Sequence, residues 1–88
     1  MRALFVGGTV DNSELDLGGT EPPVHYPNQT GSGTARYRLH EIGERRGEPV
    51  YAVYAAPGLA SEAVDGVIVE RGYPRRFGAD SRNPRQAT

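Results

Sequence analysis

Residues 35–56 read ARYRLHEIGERRGEPVYAVYAA and predict a β-hairpin. The first strand alternates, with Tyr37 and Leu39 on one side and Arg36, Arg38 and His40 on the other. The second strand, residues 50–56, has no polar face. A strand of this kind must be covered on both sides, either by the rest of the chain or by another molecule.

This two-sided strand leads to the first functional hypothesis. A helix that covers one face of the sheet would leave an apolar patch around the hairpin on the other face. A contiguous exposed apolar patch usually marks an interface. We therefore predict a contact surface at Tyr51, Val53 and Tyr54 that forms a homodimer through the hairpin sheet. In the alternative interpretation, residues 18–34 fold over the patch.

The remaining segments predict further strands and one helix. Residues 2–6 and 13–17 predict a first antiparallel hairpin, and residues 24–26, between prolines, predict a short edge strand. An apolar period of three to four residues then predicts a helix that begins at Ser61 and ends before Gly72. We expect an α+β fold, with a small antiparallel sheet of four to five strands and one C-terminal helix packed on one face.

Length and composition limit the organisation of the chain. Its 88 residues fit one domain over residues 1–78, whereas residues 79–88 contain no large apolar side chain and are predicted to be disordered. Cysteine is absent, which excludes disulfides and Cys-based zinc sites. No apolar run reaches the length of a membrane span or a signal-peptide core, so we expect a cytoplasmic protein without membrane contact.

The arginines support a second functional hypothesis. All ten basic residues are arginine, and the net charge is −1. A sheet that carries arginines beside aromatic rings can hold single-stranded nucleic acid, and a basic surface also suits an acidic protein. The candidate anion-binding or partner-binding residues are Arg36, Arg38, Arg75 and Arg76. The ordinary alternative is that the strand arginines pair with nearby carboxylates such as Glu41 or Glu44.

The sequence contains no motif that indicates an enzyme. His25 and His40 have no catalytic partner or second metal ligand at a diagnostic spacing. The glycine pairs at 7–8 and 18–19 lack the lysine and the spacing of a phosphate-binding loop and are interpreted as turns. We therefore expect a protein that acts by binding, with no catalytic residue, no cofactor and no metal site.

One segment resembles a known group of proteins. Residues 4–12 read LFVGGTVDN and resemble a pattern found in small uncharacterised proteins of bacteriophages and other mobile elements. In that pattern a strand runs into Gly-Gly-Pro-x-Asp-Gly and a second short strand, with a tyrosine-rich hairpin later. Thr9 stands here in place of the proline, and Asn12 in place of the last glycine. The resemblance implies an origin in a prophage or a mobile gene cassette and no activity. The alternative function, a nucleic-acid or host-protein binder such as a phage-type inhibitor of a defence system, rests on the arginines Arg36, Arg38, Arg75 and Arg76.

Overall fold

The computed structural model describes residues 1–19, 21–26 and 36–82. These residues form a mixed six-stranded sheet with the strand order β2-β1-β5-β4-β3, and β6 also pairs with β4. The elements in chain order are β1 (Arg2–Val6), a 3₁₀ turn (Gly8–Val10), β2 (Glu14–Asp16), β3 (His25–Tyr26), β4 (Tyr37–Arg45), β5 (Glu48–Ala55), α1 (Ser61–Arg71), α2 (Tyr73–Phe77) and β6 (Asp80–Arg82). Neither helix in this part of the chain is long and apolar enough to cross a membrane.

The sheet is mixed, which corrects the prediction of a purely antiparallel one. The α+β class and both hairpins, β1 with β2 and β4 with β5, are confirmed. However, β1 and β5 lie side by side in parallel, with Phe5 opposite Tyr54. Parallel strands at the centre of a sheet are buried on both faces and therefore read as continuous apolar runs. The two-sided apolar run of β5 therefore indicates a central strand of the sheet and not a strand with an uncovered face.

The two helices cover one face of the sheet. The buried residues of this first core are Leu4, Val6, Tyr51, Val53, Ala55, Val64, Ile68 and Tyr73. Gly72 ends α1 in the left-handed conformation with φ of 65°, as the sequence predicts. The prediction of a single helix is wrong, because α2 follows with Pro74 in its first turn, where the missing N–H of proline breaks no helical hydrogen bond.

The chain itself also covers the opposite face of the sheet. An aromatic cluster fills this second core and consists of Phe5, Tyr26, Tyr37 and Tyr54. The Phe5 ring stacks on Tyr54 with the centroids 5.7 Å apart. Leu17 packs against this core, and the Tyr54 hydroxyl donates a hydrogen bond of 2.8 Å to the Pro23 carbonyl. The described residues around 17–26 therefore provide the second cover.

The predicted interface at Tyr51, Val53 and Tyr54 is wrong for this fold. Each of the three residues has a relative exposure of 0% in the single chain. Tyr51 and Val53 lie beneath the helices, and Tyr54 lies in the aromatic cluster. A second copy cannot contact these side chains unless the cover unfolds, so the hairpin sheet gives no physical basis for the predicted homodimer.

The C-terminal segment also differs from the prediction. Asp80–Arg82 forms β6, which pairs antiparallel with β4 and lies beyond the predicted domain boundary at residue 78. The Arg82 side chain pairs with Glu44 at 2.8 Å. Backbone pairing and this ion pair hold the strand in place without large apolar side chains, so composition alone could not reveal it. Residues 83–88 of the predicted tail lie outside the described residues.

Candidate functional site

A β-bulge in β4 positions the candidate site. The pairing register with β5 shifts between Leu39 and Glu41, which makes His40 an additional residue on β4. In a regular strand, neighbouring side chains point to opposite faces. Here His40 contacts Asp65 of α1. Glu41 contacts Tyr51 in the core beneath the helices. The bulge thus turns two consecutive polar side chains towards the helix layer.

The bulge opens onto a cleft between β4, the loop after β5 and the start of α1, which we name the His40 cleft. Its volume is about 310 Å³. Its polar side chains are those of Arg38, His40, Glu41, Ser61 and Asp65. Its apolar wall consists of Ala55, Ala56, Pro57 and Leu59. Polar groups supply more of the lining than the apolar wall does, so the cleft combines a charged side with a smaller apolar side.

The two carboxylates of the His40 cleft have hydrogen-bond partners inside the chain. The Asp65 Oδ1 atom lies 2.7 Å from His40 Nε2. The Tyr51 hydroxyl donates to Glu41 Oε2 at 3.2 Å. Burial raises the pKa of Glu41, and the Tyr51 hydroxyl and His40 partly offset this effect. Burial also raises the pKa of the Tyr51 hydroxyl, which therefore keeps its proton and remains the donor.

Arg38 differs from these groups because it has no carboxylate partner among the described residues. Its side chain is exposed and lines the His40 cleft. Among residues 1–19, 21–26 and 36–82, the ordinary alternative for Arg38, pairing with a nearby carboxylate, does not occur. Glu41 accepts from Tyr51. Glu44 is paired with Arg82. No carboxylate of the described residues thus competes with an outside group for the guanidinium of Arg38.

The four predicted arginines do not form a single face. Arg75 and Arg76 border a different, open cavity at the corner between α1 and α2. Arg76 is bound by both carboxylate oxygens of Glu14, at 2.5 and 2.7 Å. Arg36 precedes β4 and is half-buried. Among the four, only Arg38 is both exposed and part of the His40 cleft.

The fold also separates Arg38 from the aromatic rings that the nucleic-acid hypothesis requires. All five tyrosines and both phenylalanines are buried or half-buried. Tyr51 and Tyr54, the tyrosines of the strand next to β4, are completely enclosed. Base stacking on a protein surface requires exposed rings. No tyrosine or phenylalanine is fully exposed next to Arg38 among the described residues, and the one exposed ring opposite it is the imidazole of His25.

Sequence reasoning missed the contact between His40 and Asp65. The two residues are 25 positions apart and belong to no motif. Asp65 lies outside the apolar stripe of α1, and a charged residue at such a position is ordinarily solvated. The pair forms because α1 crosses the sheet above the bulge. Neither the crossing nor the bulge has a signal in the sequence.

A second set of ion pairs fixes the far end of the helix layer. Arg71 donates to both carboxylate oxygens of Asp11, at 2.9 and 3.0 Å. Asp11 also accepts a hydrogen bond from the Gly7 amide at 2.8 Å. This amide bond, together with Arg71, lowers the pKa of Asp11. Asp11 therefore has a structural role in the predicted turn after β1.

Glu14 predicts a measurable acid sensitivity. Two cations, Arg76 and Arg2, donate to its carboxylate, and they lower its pKa from 4.5 to about 2, with Arg76 as the larger cause. Because the folded-state pKa is the lower one, the stabilisation is complete above pH 4.5 and disappears as the pH falls towards 2. We expect Glu14→Gln to lower the free energy of unfolding by about 1 kcal/mol at pH 7, since solvent screens this partly exposed pair.

Urea unfolding of both proteins at several pH values between 7 and 2.5 measures this effect. The difference between wild type and Glu14→Gln should shrink steadily below pH 4.5. Glu62→Gln is a suitable control, because Glu62 is exposed on α1 and has no ion pair among the described residues. A constant difference between wild type and Glu14→Gln over the whole acid range would contradict the prediction.

Comparison of the chain with models of protein families, with curated proteins and with solved structures finds no match. The resemblance of residues 4–12 to mobile-element proteins stays a prediction. What the chain does must therefore be inferred from its own residues.

Proposed function

We propose that this chain is a non-enzymatic binding protein that engages a protein partner at the His40 cleft. The observation that supports this proposal is the position of Arg38, which is exposed in a cleft where both carboxylates already have internal hydrogen-bond partners. An arginine in this situation favours an external anionic group, because its planar guanidinium can bind a carboxylate through two hydrogen bonds. The wall at Pro57 and Leu59 favours an apolar group on the same partner.

A protein suits this cleft better than a nucleic acid does. The net charge is −1, whereas nucleic-acid-binding domains are usually basic. A protein surface supplies carboxylates and apolar side chains together, which matches both walls of the cleft.

Binding also explains the cleft better than catalysis does. His40 Nε2 lies against Asp65, so Nδ1 is the nitrogen that would have to take a proton in acid–base catalysis, and no hydrogen bond among the described residues joins it to a nucleophile. Ser61 lines the same cleft, but no hydrogen bond joins it to His40, so the nucleophile and base of a hydrolytic site are not paired.

The chain has no cysteine and therefore does not depend on an oxidising compartment. We propose that the protein acts in the cytoplasm. The resemblance of residues 4–12 to mobile-element proteins favours a protein of the host cell as the partner.

Site-specific photo-crosslinking in the native cell tests the proposal. A photoreactive phenylalanine analogue replaces Leu59, which is 37% exposed and lies at the rim of the His40 cleft. We expect one discrete crosslinked protein. The matched control position is Val69, which is 79% exposed and borders the other cavity. It should not give this product.

Other outcomes would contradict the proposal. Identical products at Leu59 and Val69, or no product at Leu59, would show that the cleft is not the contact surface. A product of two copies of this 9.5 kDa chain would support self-association instead. A product with RNA or DNA would support the nucleic-acid hypothesis.

A further inference from the structure

We infer that the His40 cleft binds the C-terminal residue of the partner, with the terminal carboxylate on Arg38 and an aliphatic side chain on the apolar wall. This inference rests on the proposed function and specifies the chemistry of the partner.

The size of the cleft limits what it can hold. Its volume of about 310 Å³ lies at the lower end of the range for small-ligand sites, which extends to about 1,000 Å³. Such a cleft suits one amino-acid residue better than a nucleotide or a helix. The anionic and the aliphatic group must then belong to the same residue. A C-terminal leucine, isoleucine or valine meets this condition, because it carries a carboxylate next to its side chain.

Arg38 is the side chain of the cleft that we expect to bind the carboxylate of the ligand. Asp65 lies against His40 at 2.7 Å. Glu41 accepts from the Tyr51 hydroxyl. Neither carboxylate is bound to Arg38, and no acceptor in the described part of the chain takes a hydrogen bond from its five N–H donors. A carboxylate bound to a guanidinium forms two parallel hydrogen bonds, which fixes its orientation as well as its distance.

The apolar wall accounts for the second half of the ligand. Pro57 and Leu59 line the cleft together with Arg38, and Leu59 is one of the larger apolar side chains exposed on the described surface. An aliphatic side chain placed there removes apolar surface from water on both molecules. The same residue can therefore satisfy Arg38 and cover Leu59.

Titration of the full chain with N-acetyl-leucine, followed by ¹H–¹⁵N NMR, tests the inference. This probe imitates a C-terminal leucine. We expect saturable shifts of the amides of His40 and Ser61 with a dissociation constant in the millimolar range, as is usual for a ligand of about twelve non-hydrogen atoms. N-acetyl-leucinamide, which lacks the carboxylate, and N-acetyl-glycine, which lacks the side chain, should each bind at least fivefold more weakly.

Arg38→Gln should weaken N-acetyl-leucine binding at least fivefold. The matched control is Arg75→Gln, another exposed arginine that borders the other cavity, and it should leave the affinity unchanged. Equal binding of the leucine acid and the leucine amide, no saturable shifts, or equal losses in the two variants would overturn the inference. Crosslinking at Leu59 reports separately on the proposed function. A crosslinked partner without N-acetyl-leucine binding would refute only the C-terminal carboxylate.

Discussion

Gly43→Ala should lower the free energy of unfolding by about 3 kcal/mol, the upper part of the usual range for overpacking a core. Gly43 lies opposite Tyr51 in the β4–β5 hairpin, and the tyrosine ring lies directly over the glycine backbone. A Cβ at residue 43 would overlap three carbons of this ring. The ring cannot move aside, because it is wholly buried and its hydroxyl is bound to Glu41.

Urea unfolding at neutral pH measures this loss, and Gly66→Ala provides the matched control. A Cβ at Gly66, inside α1, meets no atom within 4 Å. Alanine is the better helix former, so this second variant should be more stable than wild type by about 0.5–1 kcal/mol. The same chemical change is thus expected to have opposite signs at two positions.

A third variant separates overlap with the ring from other effects at residue 43. In Gly43→Ala combined with Tyr51→Leu, the smaller side chain leaves room for the new methyl group. The double variant should therefore lose less stability than the sum of the two single variants. Strict additivity, or a Gly43→Ala protein as stable as wild type, would show that the ring does not press on the strand.

Gly43 also illustrates what the sequence could not reveal. Gly43 is followed by charged residues, a combination typical of a turn. The sequence therefore predicts that the strand ends at Gly43. In the structure it lies within β4, where the absence of a Cβ makes room for a tyrosine from the partner strand. The requirement depends on the register between two strands. Register is fixed only when both faces of the sheet have been assigned.

Locally encoded elements were predicted well. The hairpin of β4 and β5 and the end of α1 at Gly72 are confirmed, because turn residues and apolar periodicity act within a few positions of each other. The parallel pairing of β1 and β5 joins residues about fifty positions apart, and local patterns carry no information about it. The error at the predicted interface followed from this pairing, since Tyr54 appears uncovered only if β1 and residues 17–26 lie elsewhere.

The candidate site was predicted in part, for a similar reason. Arg38 was found because it lies on the polar side of an alternating strand, which is a local pattern. The cleft around it was not found, since it requires the bulge at His40 and the approach of Asp65 from another element. The sequence predicts partner binding for Arg76, yet the fold brings it to Glu14 across 62 positions. Which arginines form ion pairs within the chain can be seen only in the folded structure.

Tyr37→Phe should lower the free energy of unfolding by about 2 kcal/mol and loosen the turn after β1. The Tyr37 hydroxyl donates to the Gly7 carbonyl at 2.6 Å and accepts from the Val10 amide at 3.2 Å. Phenylalanine keeps the edge contact with Phe5, whose centroid is 5.3 Å away, but removes both hydrogen bonds. A donor and an acceptor in a partly buried turn then lose their partner, and each such loss costs about 1 kcal/mol or more.

Hydrogen exchange at the Val10 amide tests the local part of this prediction, and urea unfolding tests the global part. We expect Val10 to exchange at least tenfold faster in Tyr37→Phe, because its acceptor is gone. Tyr54→Phe is the matched control: it removes one hydrogen bond, to the Pro23 carbonyl, and should cost about 1 kcal/mol without affecting Val10. Unchanged exchange at Val10 in Tyr37→Phe would mean that the turn holds its shape without the tyrosine, since the amide would still be protected after its acceptor had been removed.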